Sequence, residues 1–399
     1  MEGATVDLRS TDGRRGAADD RRSGRVPVSD LGSSGLGYGE AVAIGALQGL
    51  TELFPVSSLG HSVLVPALVG GRWATDLDVS RPESPYLAFI VGLHVATAAA
   101  LVLFFWRDWV RILAGLVTSL RHRRIRSDAE RLAWLLVAAT VPVGVAGLLL
   151  EHLFRTVLGR PVPAAAFLVA NGGVLLLGER LRRRDPGLRV ADGVAGGQAG
   201  VDAGVDAGVD AGVDAGADAG VDAGVDATAS RAGAASAERR GSAGAVRVPV
   251  DPAEVPAGGP EGRALDAAAD LRLARLGLPT VLWIGCAQIL ALLPGISRSG
   301  ATMVAGLARG LSHRDAARFS FLLATPVILA AGVLKLPDLF GPLGAGIGGP
   351  VAAGSVASFV CAYAAVRFLD RWFRTRTLVP FAVYCLLAGA AALVVLAVR

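Results

Sequence analysis

The sequence contains little charge for its length. Asp, Glu, Lys and Arg make up 18% of its 399 residues, against about 25% in an average soluble domain. Hydrophobic residues make up 53%, and they are concentrated in long runs of the kind that form transmembrane helices. This composition argues against a soluble enzyme. It also argues against a nucleic-acid partner, because the arginines behind the net charge of +5 cluster beside the apolar runs, as in cytoplasmic loops.

Cysteine is equally scarce. Cys286, Cys361 and Cys385 lie in apolar stretches without paired spacing, which argues against a disulfide framework and against a zinc site. Residues 1–38 are polar and lack the apolar core of a signal peptide, so we expect them to form a disordered N-terminal tail.

Val-Asp-Ala-Gly units recur within residues 185–270. Repeated aspartates can bind calcium, but the Gly-Gly-x-Gly-x-Asp pattern of calcium-binding repeats is absent here. The segment has too few apolar residues to build a core, and we predict that it is a low-complexity cytoplasmic linker.

The apolar runs define the predicted fold. Six of them approach the ~20 residues that cross a bilayer; they are 85–106, 131–151, 162–180, 317–335, 347–369 and 378–398. Two further apolar regions, 39–70 and 278–310, are each interrupted by a proline and a serine-containing turn. Their halves are too short to span, so we predict two re-entrant helix-turn-helix elements. The expected fold is an all-α polytopic membrane protein with membrane repeats at 39–184 and 271–399.

Arginine clusters predict how the repeats are oriented. Such clusters occur at 107–131, 180–184, 309–318 and 367–376, and arginine-rich loops stay in the cytoplasm. With these loops inside, the first broken region begins and ends outside and the second begins and ends inside. The repeats are therefore expected to be inverted, with a site at mid-membrane between the two breaks that opens outward from the plasma membrane.

Polar residues concentrate at the two breaks, where they are costly and therefore functional by default. The first break carries Gln48, Glu52, Ser57, Ser58 and His61, and the second carries Gln288, Ser297, Arg298, Ser299 and Thr302. Two half-helix N-termini and one arginine predict an anion site. A carboxylate, a histidine and a serine hydroxyl beside it are the components of a phosphoryl-transfer centre.

Each of these residues also has a structural interpretation. The serines can act as N-caps, Glu52 can pair with Arg298, and His61 can be a satisfied interior group. Their joint occurrence in two matching breaks favours a site. His94, in the first full span, either lines that site or packs between helices.

The segments that carry these residues resemble two signatures of one family. Glu40-Ala-Val-Ala-Ile-Gly-Ala-Leu-Gln-Gly-Leu-Thr-Glu-Leu-Phe-Pro-Val-Ser-Ser-Leu-Gly-His61 and Pro294-Gly-Ile-Ser-Arg-Ser-Gly-Ala-Thr302 are similar to those of the bacterial undecaprenyl-diphosphate phosphatase family, also called the bacitracin-resistance protein family. The resemblance implies an integral membrane phosphatase that removes the terminal phosphate of undecaprenyl diphosphate. It also implies bacitracin resistance, because bacitracin sequesters the diphosphate.

The resemblance also implies roles for individual residues. Catalytic roles fall to Glu52, Ser58, His61 and Arg298, and substrate-binding roles fall to Gln48, Ser57, Gly295, Ser297, Ser299 and Thr302. A divalent cation, Mg²⁺ or Ca²⁺, is expected to bridge Glu52 and the phosphates, and no organic cofactor is expected. The expected partners are the polyprenyl diphosphate and membrane lipids, and a homodimer is left open.

Two questions stay open at the level of sequence. Ser58 is a nucleophile with Glu52 or His61 as its base, or the same residues activate water. The rival function is a polyprenyl-phosphate transporter or flippase, because inverted repeats with broken helices are common in transporters. A transporter, however, does not need a base beside a serine at an anion site.

Overall fold

The computed structural model describes residues 36–71, 73–74, 77, 85–153, 160–184, 260–340 and 346–399, and these contain helices and turns but no strand. The helices are α1 Tyr38–Leu53, α2 Ser58–Val69, α3 Pro85–Phe104, α4 Trp106–His122, α5 Asp128–Leu153, α6 Pro161–Arg184, α7 Pro260–Ala274, α8 Leu278–Ala287, α9 Arg298–Leu307, α10 His313–Phe340, α11 Gly348–Thr375 and α12 Val379–Val398. Residues 1–35 of the predicted tail and 185–259 of the predicted linker lie outside the described residues.

The helices confirm an all-α polytopic membrane protein. Five of them, α5, α6, α10, α11 and α12, are long and apolar enough to cross a membrane. Two bent pairs raise the number of candidate spans to as many as 7: α3 with α4, at an angle of 89°, and α7 with α8 and the turn after it, at 100°. The described residues therefore support five to seven candidate spans, a coarser result than the predicted six.

Two helices occupy segments that the sequence analysis treated as loop or linker. Helix α4 covers much of the arginine-rich segment 107–131, where its apolar residues recur at helical spacing between the arginines. Helix α7 begins at Pro260, inside the range 185–270 assigned to the linker. The sequence analysis missed both helices because arginines and small residues interrupt the apolar pattern of each segment.

Both broken regions are helix-turn-helix elements, as predicted. Helix α1 ends at Leu53 because Pro55 has no N–H to continue it and restricts the residue before it. In the second region α8 gives way to a 3₁₀ segment, Gln288–Leu292, before the turn. The second half-helix begins in each region directly after a serine, at Ser58 and at Arg298.

Close helix packing places the two breaks inside the protein. A Cβ added at Gly45 would lie 2.2 Å from the Gly354 carbonyl oxygen of α11, and one at Gly285 would lie 2.6 Å from the Ala139 carbonyl oxygen of α5. Small residues allow such close backbone contact between membrane helices. The first half of each broken region is therefore held against a long helix of the other repeat.

Candidate active site

Glu52 lies at the centre of the site, on the last turn of α1. Its Oε2 accepts hydrogen bonds from Ser58 Oγ at 2.5 Å and from Gln48 Nε2 at 2.9 Å. Its Oε1 accepts a hydrogen bond from Arg298 Nη2, which completes a buried ion pair. One carboxylate thus connects the two broken regions, and it contacts two of the residues predicted to act with it.

Ser58 and Arg298 occupy matching places in the two regions. Each is the first residue of a half-helix, and each follows a serine N-cap. The Ser57 Oγ accepts from the Gly60 N–H at 3.2 Å, and the Ser297 Oγ accepts from the Gly300 N–H at 3.2 Å. Such caps fix the direction of a helix start, so both half-helices direct their first residue towards Glu52.

The caps also decide which backbone N–H groups remain available. In the first break, the Gly60 N–H donates to Ser57 Oγ and the His61 N–H donates to the Ser57 carbonyl. These two groups are therefore not free to bind an anion. In the described structure the N–H groups of Ser58 and Leu59 have no acceptor, so these are the donors that the start of α2 offers.

Ser57 and Gly295 join the two turns directly. Ser57 adopts a φ of 69°, rare for a residue with a side chain, and its Oγ also accepts from the Gly295 N–H at 3.1 Å. Gly295 has a φ of 113°, and a Cβ there would lie 2.4 Å from the Ala164 carbonyl oxygen. Both residues were predicted to bind substrate, and in the structure their contact holds one turn against the other.

The other predicted substrate-binding hydroxyls make structural contacts. Ser297 Oγ and Ser299 Oγ are 3.0 Å apart, and Ser299 Oγ donates to the Phe54 carbonyl at 3.2 Å. Thr302 Oγ1 lies 2.6 Å from Ser320 Oγ of α10 and donates to the Arg298 carbonyl. None of these three hydroxyls contacts Glu52 in the described structure, and their role in substrate binding stays a prediction.

His61 faces away from Ser58. Its Nδ1 lies 2.7 Å from the Ser57 carbonyl, and its Nε2 lies 2.7 Å from the Tyr384 hydroxyl. The carbonyl can only accept, so Nδ1 carries the proton and Nε2 accepts from Tyr384. Of the two bases considered for Ser58, the structure therefore places Glu52 in contact and directs His61 to the turn and to α12.

His94 lines the site, which answers the question left open by the sequence. Its Nε2 lies 3.5 Å from Glu52 Oε2 and 3.3 Å from Gln48 Nε2. Its Nδ1 donates to the Ile90 carbonyl at 2.9 Å, so Nε2 accepts from the Gln48 amide. Helix α3 thereby contributes an imidazole beside the carboxylate.

Asn171 of α6 is a positioning residue that the sequence analysis missed. Its Nδ2 donates to the Pro55 carbonyl at 3.0 Å, and its Oδ1 accepts from the Ser297 N–H at 3.0 Å. The side chain is fully buried and satisfies one backbone group from each break. A single amide in an apolar span was the available signal, because polar groups at membrane depth are rarely incidental.

The site offers few ligands for a resident metal ion. Within the described residues there is no group of three or more His, Cys, Asp or Glu side chains that could hold one. Both Glu52 oxygens are already occupied by hydrogen bonds to Ser58, Gln48 and Arg298. The protein by itself therefore supplies one carboxylate, which fits a cation only if the substrate provides most of the other ligands.

Comparison with known proteins extends the likeness over nearly the whole chain. The family model described as bacitracin resistance protein BacA matches residues 41–205 and 263–391. An undecaprenyl-diphosphatase from Mycolicibacterium paratuberculosis is 60% identical over 364 residues, covering 91% of this chain and 99% of that protein. Undecaprenyl-diphosphatase 1 from Frankia casuarinae is 55% identical, with 90% and 97% covered. An undecaprenyl-diphosphatase from Granulibacter bethesdensis is 38% identical, with 89% and 95% covered.

Proposed function

Because the chain belongs to the bacitracin resistance protein BacA family, we propose that it is an undecaprenyl-diphosphatase, an enzyme that hydrolyses undecaprenyl diphosphate to undecaprenyl phosphate and phosphate. The monophosphate is the lipid carrier for cell-wall synthesis, and removal of the diphosphate confers bacitracin resistance. The observation that carries the proposal is the Glu52 carboxylate, which contacts a serine hydroxyl and an arginine at the ends of two half-helices.

Substrate binding begins at Arg298. Its guanidinium can hold two phosphate oxygens at once, and the two half-helix N-termini add favourable dipoles and N–H donors. A bound diphosphate competes with Glu52 for the guanidinium, so binding releases Glu52 from its ion pair. The carboxylate then becomes free to accept a proton.

Ser58 is the proposed nucleophile. Its Oγ attacks the terminal phosphorus while its proton passes to Glu52 Oε2, which already accepts its hydrogen bond. The bond between that phosphorus and the bridging oxygen breaks, and undecaprenyl phosphate leaves with the proton returned by Glu52. Glu52 then takes a proton from a water that attacks the phosphoserine phosphorus, and returns it to Ser58 Oγ as the bond between that oxygen and phosphorus breaks, which frees phosphate and the serine. In the alternative, Glu52 activates water for direct attack and Ser58 only binds the phosphate.

A divalent cation is proposed to arrive with the substrate. Mg²⁺ is commonly held by one or two carboxylates together with substrate phosphates, and Glu52 supplies the one carboxylate here. Held in this way, Mg²⁺ or Ca²⁺ would neutralise charge on the diphosphate. Arg298 and the helix ends also offset charge on the diphosphate, and unlike the cation they are part of the chain.

The membrane arrangement is part of the proposal. We place six spans and two re-entrant elements in the plasma membrane, with inverted repeats and an outward-facing site, on the support of the arginine clusters and the short half-helices. Single-cysteine labelling in intact cells tests it, with Gly71 expected to react from outside and Ser127 from inside. Labelling of both positions from the same side would contradict the inverted arrangement. A homodimer stays a prediction.

The activity itself is tested with purified protein in detergent. We expect phosphate release from undecaprenyl diphosphate, loss of release on adding a chelator, and no release by the folded Glu52→Gln variant. A folded wild-type protein that releases no phosphate with either cation, but moves polyprenyl phosphate across vesicle membranes, would establish the transporter function instead.

A further inference from the structure

Helix α4 lies across the direction of the span before it. The angle between α3 and α4 is 89°, and α3 is apolar along its whole length. If α3 crosses the membrane, α4 runs along the membrane surface at the end of that span. This placement requires the exposed side of α4 to suit the boundary between headgroups and acyl chains.

The buried side of α4 packs on α5. Ile112, Gly115 and Ser119 form this side, and a Cβ at Gly115 would lie 2.9 Å from the Glu130 backbone nitrogen of α5. Helix α4 is also held at its start, because Asp108 lies 3.0 Å from Arg318 of α10. The helix is therefore a fixed part of the protein, and its other faces are presented in a defined direction.

An apolar stripe runs along the exposed side of α4. Its residues recur at helical spacing and are each more than half exposed; they are Trp106, Val110, Leu113, Val117 and Leu120. The spacing puts all of them on one narrow face. Such a stripe on a helix that lies along a membrane inserts between lipid tails.

Arginines without carboxylate partners lie at both ends of the stripe. Arg107, Arg121, Arg123 and Arg124 are exposed, and in the part of the chain that the structure describes none of them forms an ion pair with a carboxylate. Arg111, by contrast, pairs with Asp108 and with Asp270 of α7, at 2.5 Å each. Glu130, which packs against α4, accepts backbone N–H groups of Arg126 and Ser127, so these carboxylates leave the four exposed arginines uncompensated.

We infer that α4 and the segment Arg121–Arg124 form a binding surface for anionic phospholipid headgroups. The apolar stripe enters the acyl-chain boundary while the arginines hold the phosphates, an arrangement typical of basic amphipathic helices at membranes. The absence of nearby carboxylate partners for these arginines favours anionic over zwitterionic lipids. The surface is separate from the Glu52 site, and the inference does not depend on the phosphatase activity.

The test measures contact between labelled lipids and a tryptophan introduced by Leu120→Trp, at the end of the stripe beside Arg121. The full chain is placed in phosphatidylcholine nanodiscs that contain a small fraction of brominated phosphatidylglycerol or brominated phosphatidylcholine, and tryptophan quenching is recorded. Subtracting the signal of the chain without this substitution isolates the introduced tryptophan, and the variants below carry the same probe. We expect brominated phosphatidylglycerol to quench it several-fold more strongly than brominated phosphatidylcholine at the same fraction, and this excess to shrink as salt is added.

Two triple variants decide whether the arginines cause the excess. Arg121→Gln/Arg123→Gln/Arg124→Gln should abolish the preference for phosphatidylglycerol. The matched control Arg275→Gln/Arg309→Gln/Arg371→Gln removes three other exposed arginines and should retain it. Both should keep wild-type phosphate release in detergent, so a failed phosphatase proposal would not affect this result.

Three results would overturn the inference. They are equal quenching of the introduced tryptophan by the two lipids, the same loss of preference in both triple variants, and an introduced tryptophan that neither lipid quenches because the stripe contacts a second copy of the chain. The last case would show up as crosslinking between copies through a cysteine placed at Val117.

Discussion

The two broken regions share one backbone plan and differ in the residues placed on it. The spacing from glutamine to N-cap serine is the same in both, from Gln48 to Ser57 and from Gln288 to Ser297. On this alignment Leu292 stands where Glu52 stands in the first region. The backbone of each break presents a helix end to the centre, but only the first presents a carboxylate there.

The first residue of each half-helix shows the same division. Ser58 offers a hydroxyl and Arg298 offers a fixed charge, and both bind Glu52. His61 contacts the turn of the first region, and its counterpart in the second region is Ala301. The two regions thus share helix ends suited to anions, and they differ in that the proposed base and nucleophile lie in the first and the arginine in the second. A transporter site could use two equal halves, whereas the proposed phosphatase site assigns different groups to each half.

The largest expected effect is at the position where the two regions differ most. Glu52→Gln keeps the shape of the side chain but replaces one accepting oxygen with a donating NH₂ and removes the base, and we expect phosphate release to fall about 10³-fold or more. The matched change Leu292→Gln, at the equivalent place in the second region, should leave most of the rate. Purified variants of equal thermal stability are compared in the phosphate-release assay. A Glu52→Gln rate within about tenfold of wild type, less than the roughly 10²-fold or more that general-base catalysis contributes, would remove the proposed site.

The next prediction compares the rates of variants at two neighbouring serines. Ser58→Ala should lower the rate by about 10²-fold or more because it removes the nucleophile. Ser57→Ala removes the hydroxyl oxygen that accepts two hydrogen bonds at the turn. It should cost about 1–2 kcal/mol of stability with a smaller loss of rate.

Acid quench of the wild-type reaction distinguishes the two chemical routes behind this serine comparison. A phosphorylated Ser58 trapped in the quench supports covalent catalysis. Oxygen-18 transfer from water directly into the released phosphate, with no phosphoserine formed, contradicts it and leaves Ser58 as a phosphate-binding cap.

A smaller effect is expected from the hydrogen bond between Tyr384 and His61. The second region has no equivalent bond because Ala301 stands in the place of His61. Tyr384→Phe removes the donor to His61 Nε2 and retains the ring stacking, so we expect a loss of about fivefold, equivalent to about 1 kcal/mol. The change in kcat should exceed the change in KM, because the tyrosine holds His61 against the turn that carries Ser57 and does not contact Glu52. A kcat equal to that of wild type would show that the hydroxyl only packs against His61.

The smallest expected difference is between the two glutamines. Gln48 donates to Glu52, and Gln48→Leu should lower the rate a few-fold because it removes a bond worth about 1 kcal/mol. Gln288 donates to the Ala139 carbonyl, and its Oε1 has no partner in the described structure. Gln288→Leu should therefore leave the rate near wild type and change the melting temperature little. Equal losses of rate in both variants would show that Gln288 supports the reaction as much as Gln48 does.

The sequence predicted the features that helix-ending residues and polar side chains indicate locally. Pro55 and the N-cap serines located both breaks, and Glu52 and Arg298 stood out as charges near apolar half-helices. The pairing of Glu52 with Arg298 was raised as a structural alternative, and the structure contains it without excluding the site.

Long-range contacts could not be predicted in this way. Asn171 and Tyr384 reach the breaks from helices far along the chain, and neither belongs to a local motif. The direction of the His61 ring depended on Tyr384 in the same way. Helix α4 was missed for a different reason, because arginine clusters indicate the side of a membrane more clearly than they indicate secondary structure.

The contacts between the breaks have a consequence for biogenesis. Glu52 reaches the membrane with the first half of the chain, whereas Arg298, its ion-pair partner, is synthesised 246 positions later. During that interval an emerging carboxylate has to be held in neutral form, or shielded by the insertion machinery, because an isolated charge in lipid is costly. Neither half of the protein contains a finished site, so two separately expressed halves would gain activity only when they meet in the same bilayer.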